Sequence, residues 1–239
     1  MKRLSNLMLS NSIPTNSMRC LLAMVVICAG CVKRTAEQHS RFPTDDSDFV
    51  LVLVLDLSTS SVSLFDDDKP GYEFTMKLIE HYTRAVPGRN GKLILAQVSA
   101  SDNPLLWEGE AGQLRRDFSN PRAFREKLLS KSNPHGSRIH EGLARTFEYL
   151  VKHQAVQGGA KPAVFVLSDM MDNGKDGAEY EKKLVASLKE FGEKGGISGF
   201  YFVDQSLLTK WQTILNNAGI KECFVTPDIV ADPPMPNFD

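Results

Sequence analysis

The chain carries FVLVLVL at residues 49–55, followed directly by DLSTS at residues 56–60, and these two stretches decide its fold class. All seven residues of the first stretch are apolar, so neither side of it is suited to face water. A strand of this kind is buried on both faces, as in the middle of a parallel sheet. The polar residues that follow therefore leave the predicted sheet at the carboxyl end of this strand.

The rest of the body alternates predicted strands and helices. Strands are indicated at residues 92–98, 105–108, 163–167, 197–203 and 222–225, and helices at residues 72–85, 121–129, 138–153, 178–191 and 207–217. The helices show apolar residues at helical spacing, such as Phe74, Leu78 and Tyr82 in the first of them. This alternation predicts an α/β domain over residues 49–226, with a doubly wound, mostly parallel sheet and helices on both faces. The strand at residues 105–108 is expected to be a short antiparallel edge strand.

The composition limits the function classes to which the chain can belong. It has 239 residues, with 28 Lys and Arg against 29 Asp and Glu, which gives a net charge of −1. Nucleic-acid-binding domains normally carry a basic excess, so no nucleic-acid partner is predicted. The apolar fraction of 42% and the charged fraction of 24% are those of a globular protein.

The start of the chain resembles a bacterial lipoprotein signal. An apolar run at residues 21–32 has about the length of the hydrophobic region of a signal peptide and is too short to span a membrane as a helix. It ends in AGC at residues 29–31, which resembles a lipobox, although Cys28 stands where that motif prefers leucine. The resemblance implies a signal peptide at residues 1–30 and a lipid attached to Cys31.

This interpretation predicts a protein of the bacterial cell envelope, held to a membrane through its lipid anchor. Residues 31–48 are polar and read as a tether, and residues 227–239 read as a Pro-rich tail. Translation from Met1 or from Met18 is left open, and an uncleaved anchor or a cytoplasmic chain are the alternatives. Cys223 is the single cysteine of the body, so no internal disulfide is predicted there.

The predicted sheet brings acidic residues from two strands to one edge. Asp56 follows the first strand, and Ser168 and Asp169 follow the strand at residues 163–167. Ligands of open α/β sheets bind beyond the carboxyl ends of the strands. Two carboxylates at one point repel each other unless a positive charge lies between them. Together with neighbouring hydroxyls, they would form an all-oxygen site suited to Mg²⁺ or Mn²⁺.

These residues resemble the metal-ion-dependent adhesion site of the von Willebrand factor type A (vWA) family. Its DxSxS motif matches Asp56, Ser58 and Ser60 after the first strand. Ser137, in the sequence GSRIHEGL, stands where the family has a threonine before a central helix. Asp169, in the sequence SDMMDN, stands where the family has an aspartate after its fourth strand. The resemblance implies that these five residues bind a divalent cation, Mg²⁺ or else Mn²⁺ or Ca²⁺.

The resemblance covers residues 48–226 and includes departures from the family pattern. Thr59 and Ser61 stand where glycine and methionine are usual, and Met170 replaces the glycine that often follows the aspartate. Ser137 keeps the hydroxyl of threonine but loses the methyl group that restricts its rotamer. These departures bear on the strength of metal binding, while the order of the three motifs supports the assignment.

The resemblance implies a binding module without enzymatic activity. In the family, the cation keeps an open coordination position that an Asp or Glu carboxylate of a protein partner completes. We therefore expect a membrane-tethered, metal-dependent protein-binding module for adhesion or assembly. The alternatives are a scaffold of the same fold without metal and an Mg²⁺-dependent hydrolase. Phosphatases of the haloacid dehalogenase type need a second acid two residues after the first, where this chain has Ser58.

Each site residue also has a purely structural interpretation. Ser58 and Ser60 are typical of a turn, and Ser137 is typical of a helix N-cap. Asp169 suits the cap of a loop. Asp172, three residues further on, is expected to be a solvated loop acid outside the metal site. His140 has no second histidine at a zinc-binding spacing, so no zinc site is predicted.

Overall fold

A computed structural model describes residues 48–66, 69–86, 91–98, 104–118, 120–132, 136–227 and 233–238. The chain divides into two units, residues 1–40 and 41–239, and every described residue lies in the second. The predictions for the signal peptide, for Cys31 and for nearly all of the tether lie outside the described residues. The elements below therefore belong to the α/β domain.

Among the described residues, six strands form one sheet, and helices connect most consecutive strands. The strands are β1 (Phe49–Leu55), β2 (Gly91–Gln97), β3 (Leu105–Glu110), β4 (Lys161–Leu167), β5 (Ile197–Val203) and β6 (Glu222–Pro227). The helices are α1 (Pro70–Ala85), α2 (Ala111–Asp117), α3 (Pro121–Leu129), α4 (Ile139–Lys152), α5 (Gln154–Gln157), α6 (Gly177–Glu193) and α7 (Leu208–Asn217). The strand order is β3-β2-β1-β4-β5-β6, and β3 is antiparallel to β2 while the other pairs are parallel. The predicted fold class is confirmed.

Strand β1 lies inside the sheet and is buried on both faces, as its sequence predicts. All seven of its residues are buried. Val50, Val52 and Val54 face a core that also contains residues of α4, α6 and α7. Leu51 and Leu53 face a second core that contains residues of α1, α2 and α3. The helices therefore cover both faces of the sheet.

Local sequence signals predicted the start of helix α3, but other helical segments were not predicted. Helix α3 begins as expected, because Asn120 Oδ1 accepts a hydrogen bond of 2.8 Å from Ala123 N and Pro121 occupies the first turn. Helix α2 was not predicted from the sequence, although Glu110 and Gln113 form a capping box at its start. A short 3-10 helix at Val62–Phe65 was not predicted either.

The C-terminal residues 233–238 pack against the domain without forming a helix or strand. Tyr201 Oη donates a hydrogen bond of 2.9 Å to the carbonyl of Pro234, and His81 Nε2 donates one of 2.8 Å to the carbonyl of Pro236. Phe238 is buried and its ring meets that of Tyr82 at a centroid distance of 5.2 Å. This part of the Pro-rich tail therefore belongs to the folded domain.

Two further expectations concern the membrane and the cysteine of the body. Within the described ranges, no helix combines the length and the apolar character needed to cross a membrane. Cys223 forms no disulfide with any described residue. It is half-buried on β6, and this burial raises the pKa of its thiol.

Candidate functional site

The carboxylate of Asp56 is the centre of a buried hydrogen-bond network at the carboxyl end of β1. Its Oδ1 accepts hydrogen bonds from Ser58 N at 3.0 Å and from Ser137 Oγ at 2.7 Å. Its Oδ2 accepts hydrogen bonds from Ser168 Oγ at 2.7 Å and from Ser61 Oγ at 3.2 Å. All five residues are buried. Three chain segments far apart in sequence therefore meet at one carboxylate.

This network changes the expected electrostatics of the site. From the sequence, Asp56 was expected to be repelled by Asp169 in the absence of a cation. The structure instead surrounds Asp56 with three hydroxyl donors and one amide donor. Hydrogen bonds of this kind offset the cost of burying a carboxylate. The fold therefore stabilises this buried charge with its own donors, and two of them, Ser61 and Ser168, lie outside the predicted metal ligands.

Ser137 reaches Asp56 because of the loop that precedes α4. Helix α4 begins at Ile139, and its N-cap is Arg138, whose side chain makes no capping hydrogen bond. The interpretation of Ser137 as only an N-cap is therefore wrong, since its hydroxyl is directed to Asp56. Gly136, just before it, has φ of +87°, a backbone conformation that favours glycine.

Ser58 and Ser60 lie next to each other in the turn after β1. Their Oγ atoms are 3.2 Å apart, with Ser58 fully buried and Ser60 exposed. The turn is closed by backbone hydrogen bonds from Ser61 N and Val62 N to the carbonyl of Ser58. The two serines thus form a turn, as their structural interpretation proposed, and they also join the Asp56 network. Ser60 marks where this network meets solvent.

Asp169 follows Ser168 and is half-exposed. Its Oδ1 accepts a hydrogen bond of 2.9 Å from Met171 N, so it caps its own loop. Met170 between them has φ of +63°, in the left-handed region. This conformation costs a residue with a Cβ roughly 1–2 kcal/mol, and the vWA pattern often places glycine there. Met170 therefore adopts a backbone conformation that glycine would adopt without this cost.

The donor set fits a hard divalent cation. A serine hydroxyl has one hydrogen and two lone pairs, so Ser137 keeps lone pairs for a metal while it donates to Asp56. Asp56, Ser58, Ser60 and Ser137 supply oxygen atoms only, which is the preference of Mg²⁺ and Ca²⁺. Among the residues that the structure describes, no three His, Cys, Asp or Glu side chains form a group that could hold a metal ion. Any metal here would thus depend on the serine hydroxyls.

Asp172 and His140 form a partly buried pair beside the network, and neither was assigned to the site from the sequence. The prediction of Asp172 as a solvated loop acid is wrong, since its side chain is 13% exposed and bonds to His140 Nδ1. Burial alone raises the pKa of Asp172, but hydrogen bonds from His140 and from the amides of Gly174 and Ile139 outweigh it and leave the pKa below its usual range. His140 and Asp172 are 32 positions apart in the sequence, and no helical or strand periodicity links residues at that separation.

A cavity of about 340 Å³ opens beside this region. Its lining includes Ser137, Arg138, Glu141, Asp172, Lys175 and Tyr180. Charged side chains of both signs thus line the space next to the candidate ligand Ser137. The cavity is large enough for a polar side chain of another molecule to approach the network.

Comparison with solved structures identifies the fold. The SpRpn10 VWA domain is 9% identical with a TM-score of 0.52, and the match covers 75% of this chain and 87% of that domain. The N-terminal domain of TFIIH p34 is 10% identical with a TM-score of 0.53, and the match covers 76% of this chain and 91% of that one. The pilus adhesin SpaC from Lactobacillus rhamnosus GG is 14% identical with a TM-score of 0.52.

The described domain therefore has the vWA fold, as the motifs predicted. The match spans 76% of this chain but 28% of the adhesin chain. No family model matches the sequence, and no curated protein matches it either. At this low sequence identity, the structural similarity establishes the fold alone. The function of the site is therefore inferred from the residues that form it.

Proposed function

We propose that this protein is a metal-dependent protein-binding module, tethered to a membrane of the bacterial cell envelope. The observation that carries the proposal is the convergence of Ser58 and Ser137 on the buried carboxylate of Asp56. These three residues belong to the five that resemble the vWA adhesion site. The adhesin among the similar structures has the same fold, which is consistent with a role in binding.

In this proposal Asp56, Ser58, Ser60 and Ser137 hold Mg²⁺, with Asp169 contributing from the neighbouring loop. The bound cation supplies positive charge at a point where two protein carboxylates would otherwise repel a third. Ser60 is exposed, so an Asp or Glu of a partner can approach from its side. Ser61 and Ser168 keep the Asp56 carboxylate oriented through their hydrogen bonds. Binding of this kind needs no nucleophile or general base.

One observation favours a second candidate, a scaffold of the same fold that binds its partner without metal. Asp56 already accepts hydrogen bonds from four protein groups, so its charge is stabilised without a cation. The hydrolase alternative has less support, because Ser58 occupies the position of the second acid and its hydroxyl lies against Ser60.

A thermal melt with and without Mg²⁺ distinguishes the metal-dependent module from the metal-free scaffold. A ligand that binds only the native state at ~100 times its Kd stabilises it by roughly 2.7 kcal/mol. For a domain of this size, this raises Tm by roughly 5–10 °C. Ser137→Ala should lose most of this response, since it removes one ligand oxygen. Ser130→Ala is the matched control, because that hydroxyl is exposed and bonds to the carbonyl of Lys127.

Partner capture completes this test. Crosslinked partners should be recovered from cells with Mg²⁺ and lost with a chelator in the wild type. A wild type with no Mg²⁺-dependent rise in Tm, whose partner survives chelation, would instead support the metal-free scaffold.

The membrane tether is tested separately at Cys31. We expect Cys31→Ser to remain uncleaved or soluble and to lose labelling by a fatty acid analogue, since the thiol is the attachment point. Cys223→Ser is the control, because that cysteine lies on β6 of the folded domain. Full labelling and unchanged membrane fractionation of Cys31→Ser would show that the lipoprotein interpretation is incorrect.

A further inference from the structure

We propose that Asp172 and His140 act together as a clamp that positions Ser137 against Asp56. The inference rests on the proposed function for its effect on metal binding, but the clamp itself can be tested without metal. It assigns a positioning role to two residues outside the candidate ligand set. The clamp joins the loop before α4, which carries Ser137, to the loop after β4, which carries Asp169.

The carboxylate of Asp172 holds the start of α4. Its Oδ1 accepts a hydrogen bond of 3.1 Å from Ile139 N, and its Oδ2 bonds to His140 Nδ1. The next residue, Asn173, donates from its backbone N to the carbonyl of Ser137 at 2.9 Å. Asp172 and Asn173 thus bind the backbone at Ser137 and just after it, from the loop that also carries the second candidate carboxylate.

Trp211 fixes the orientation of the His140 ring, so His140 can keep Asp172 in one place. Its ring is nearly parallel to that of Trp211 on α7, with centroids 5.4 Å apart and an interplanar angle of 25°. Its Nε2 lies 3.3 Å from both Glu181 Oε2 on α6 and Lys210 Nζ on α7. Glu181 and Lys210 are also paired with each other at 3.0 Å. The charged groups that face His140 are therefore Asp172, Glu181 and Lys210.

The close packing around the pair leaves little room for another arrangement. A Cβ added at Gly177, the first residue of α6, would lie 3.1 Å from Asp172 Oδ2 and 3.7 Å from His140 Nδ1. A Cβ added at Gly136 would lie 3.0 Å from Asn173 Nδ2. Glycines thus let the backbones of α6 and of the Ser137 loop approach the clamp. A loop that is held in one conformation is pre-organised, so Ser137 can bind a metal without the entropic cost of ordering the loop.

Four variants test the clamp. Asp172→Asn removes the charge, and His140→Leu removes the donor while keeping a side chain of similar bulk. His140→Asn keeps a donor near the Nδ1 position and should rescue the clamp. Glu181→Gln is the matched control, because it contacts the same histidine from the side away from the site loops.

Two readouts are measured on the full chain below its melting temperature, with folding checked by circular dichroism. The first is the Kd for Mn²⁺, followed by electron paramagnetic resonance of the free ion. The second is hydrogen exchange at the Asn173 amide in the absence of metal, which reports on its bond to Ser137. Partners that orient metal ligands typically change metal affinity by roughly 10-fold to 100-fold when they are mutated.

We expect Asp172→Asn and His140→Leu to weaken Mn²⁺ binding about 10-fold or more and to accelerate exchange at Asn173 by a similar factor. His140→Asn and Glu181→Gln should remain close to the wild type in both measurements. A purely structural role would lower Tm without changing the Kd or the Asn173 exchange, and that result would overturn the proposal. Equal weakening in Glu181→Gln and His140→Leu would also overturn it.

The two proposals fail in different ways. If the wild type binds no Mn²⁺ but Asn173 exchange accelerates in His140→Leu and recovers in His140→Asn, the clamp stands and the metal site fails. If the wild type binds Mn²⁺ and the clamp variants bind it equally well, the metal site stands and the clamp fails. Should Asp172→Asn not fold, the two His140 variants decide the outcome.

Discussion

Replacing Asp56 with alanine should destabilise the domain by about 2–4 kcal/mol and abolish its response to Mg²⁺. The substitution leaves the hydroxyls of Ser61, Ser137 and Ser168 without their shared acceptor in a buried site. A buried donor that loses its partner costs about 1–3 kcal/mol, and hydroxyl rotation recovers part of this for the set. Urea denaturation with Mg²⁺ and with a chelator measures both effects.

The sign of the stability change is the informative part. If repulsion between Asp56 and Asp169 governed the metal-free domain, Asp56→Ala would melt at or above the wild-type temperature in chelator. The hydrogen bonds to Asp56 predict the opposite. Asp204→Ala is the control, because Asp204 also follows a strand of the sheet but is bonded by Ser206 in its own loop. That variant should keep the response to Mg²⁺.

Replacing Phe238 with alanine should cost about 3–4 kcal/mol of unfolding free energy, although the residue is next to the last of the chain. Phe238 is 4% exposed, and its ring lies 6.0 Å from that of Phe49 and 6.1 Å from that of Phe165. Truncation of a buried phenylalanine removes its apolar surface and leaves a cavity in the core. Urea denaturation of the purified domain measures the difference.

Met235→Ala supplies the comparison within the same segment, because Met235 is 38% exposed. It should change stability by less than about 1 kcal/mol, as surface substitutions usually do. A Phe238→Ala variant as stable as Met235→Ala would mean that residues 233–238 do not contribute to the core in solution.

The fold class followed from sequence because its signals are local. FVLVLVL at residues 49–55 has no polar residue, so burial on both faces is a property of the stretch itself, and the structure buries all seven residues. The alternation of strands with amphipathic helices then restricts the sheet to a parallel arrangement. Strand β3 was also placed correctly, since its antiparallel edge position follows from the short connection from β2.

Part of the candidate site was equally local. Asp56, Ser58 and Ser60 lie within five residues, and their position after a buried strand places them at the carboxyl edge of the sheet. The convergence of Ser137 on this point was predicted through the resemblance to the vWA motif and not through any periodicity. The structure brings Ser137 to Asp56 across 81 residues.

Other contacts were decided by the tertiary structure alone. Ser61 and Ser168 read as ordinary loop residues until the sheet places both beside Asp56. The sequence around Asp172 is typical of a solvated loop acid, and only the packing of α4 brings His140 into hydrogen-bond contact with it.

The sequence by itself thus determined the strands, most of the helices, the sheet type and the edge of the sheet at which the site lies. Each of these features follows from residues that are close together in the sequence, within a single strand, helix or turn. Only the tertiary structure decided that Ser61 and Ser168 donate to Asp56, that Asp172 holds the Ser137 loop, and that Phe238 packs in the core beside Phe49. Such contacts depend on the order of the strands and on the packing of the whole core. No local pattern encodes them, since the partners belong to separate elements that meet only when the sheet is complete.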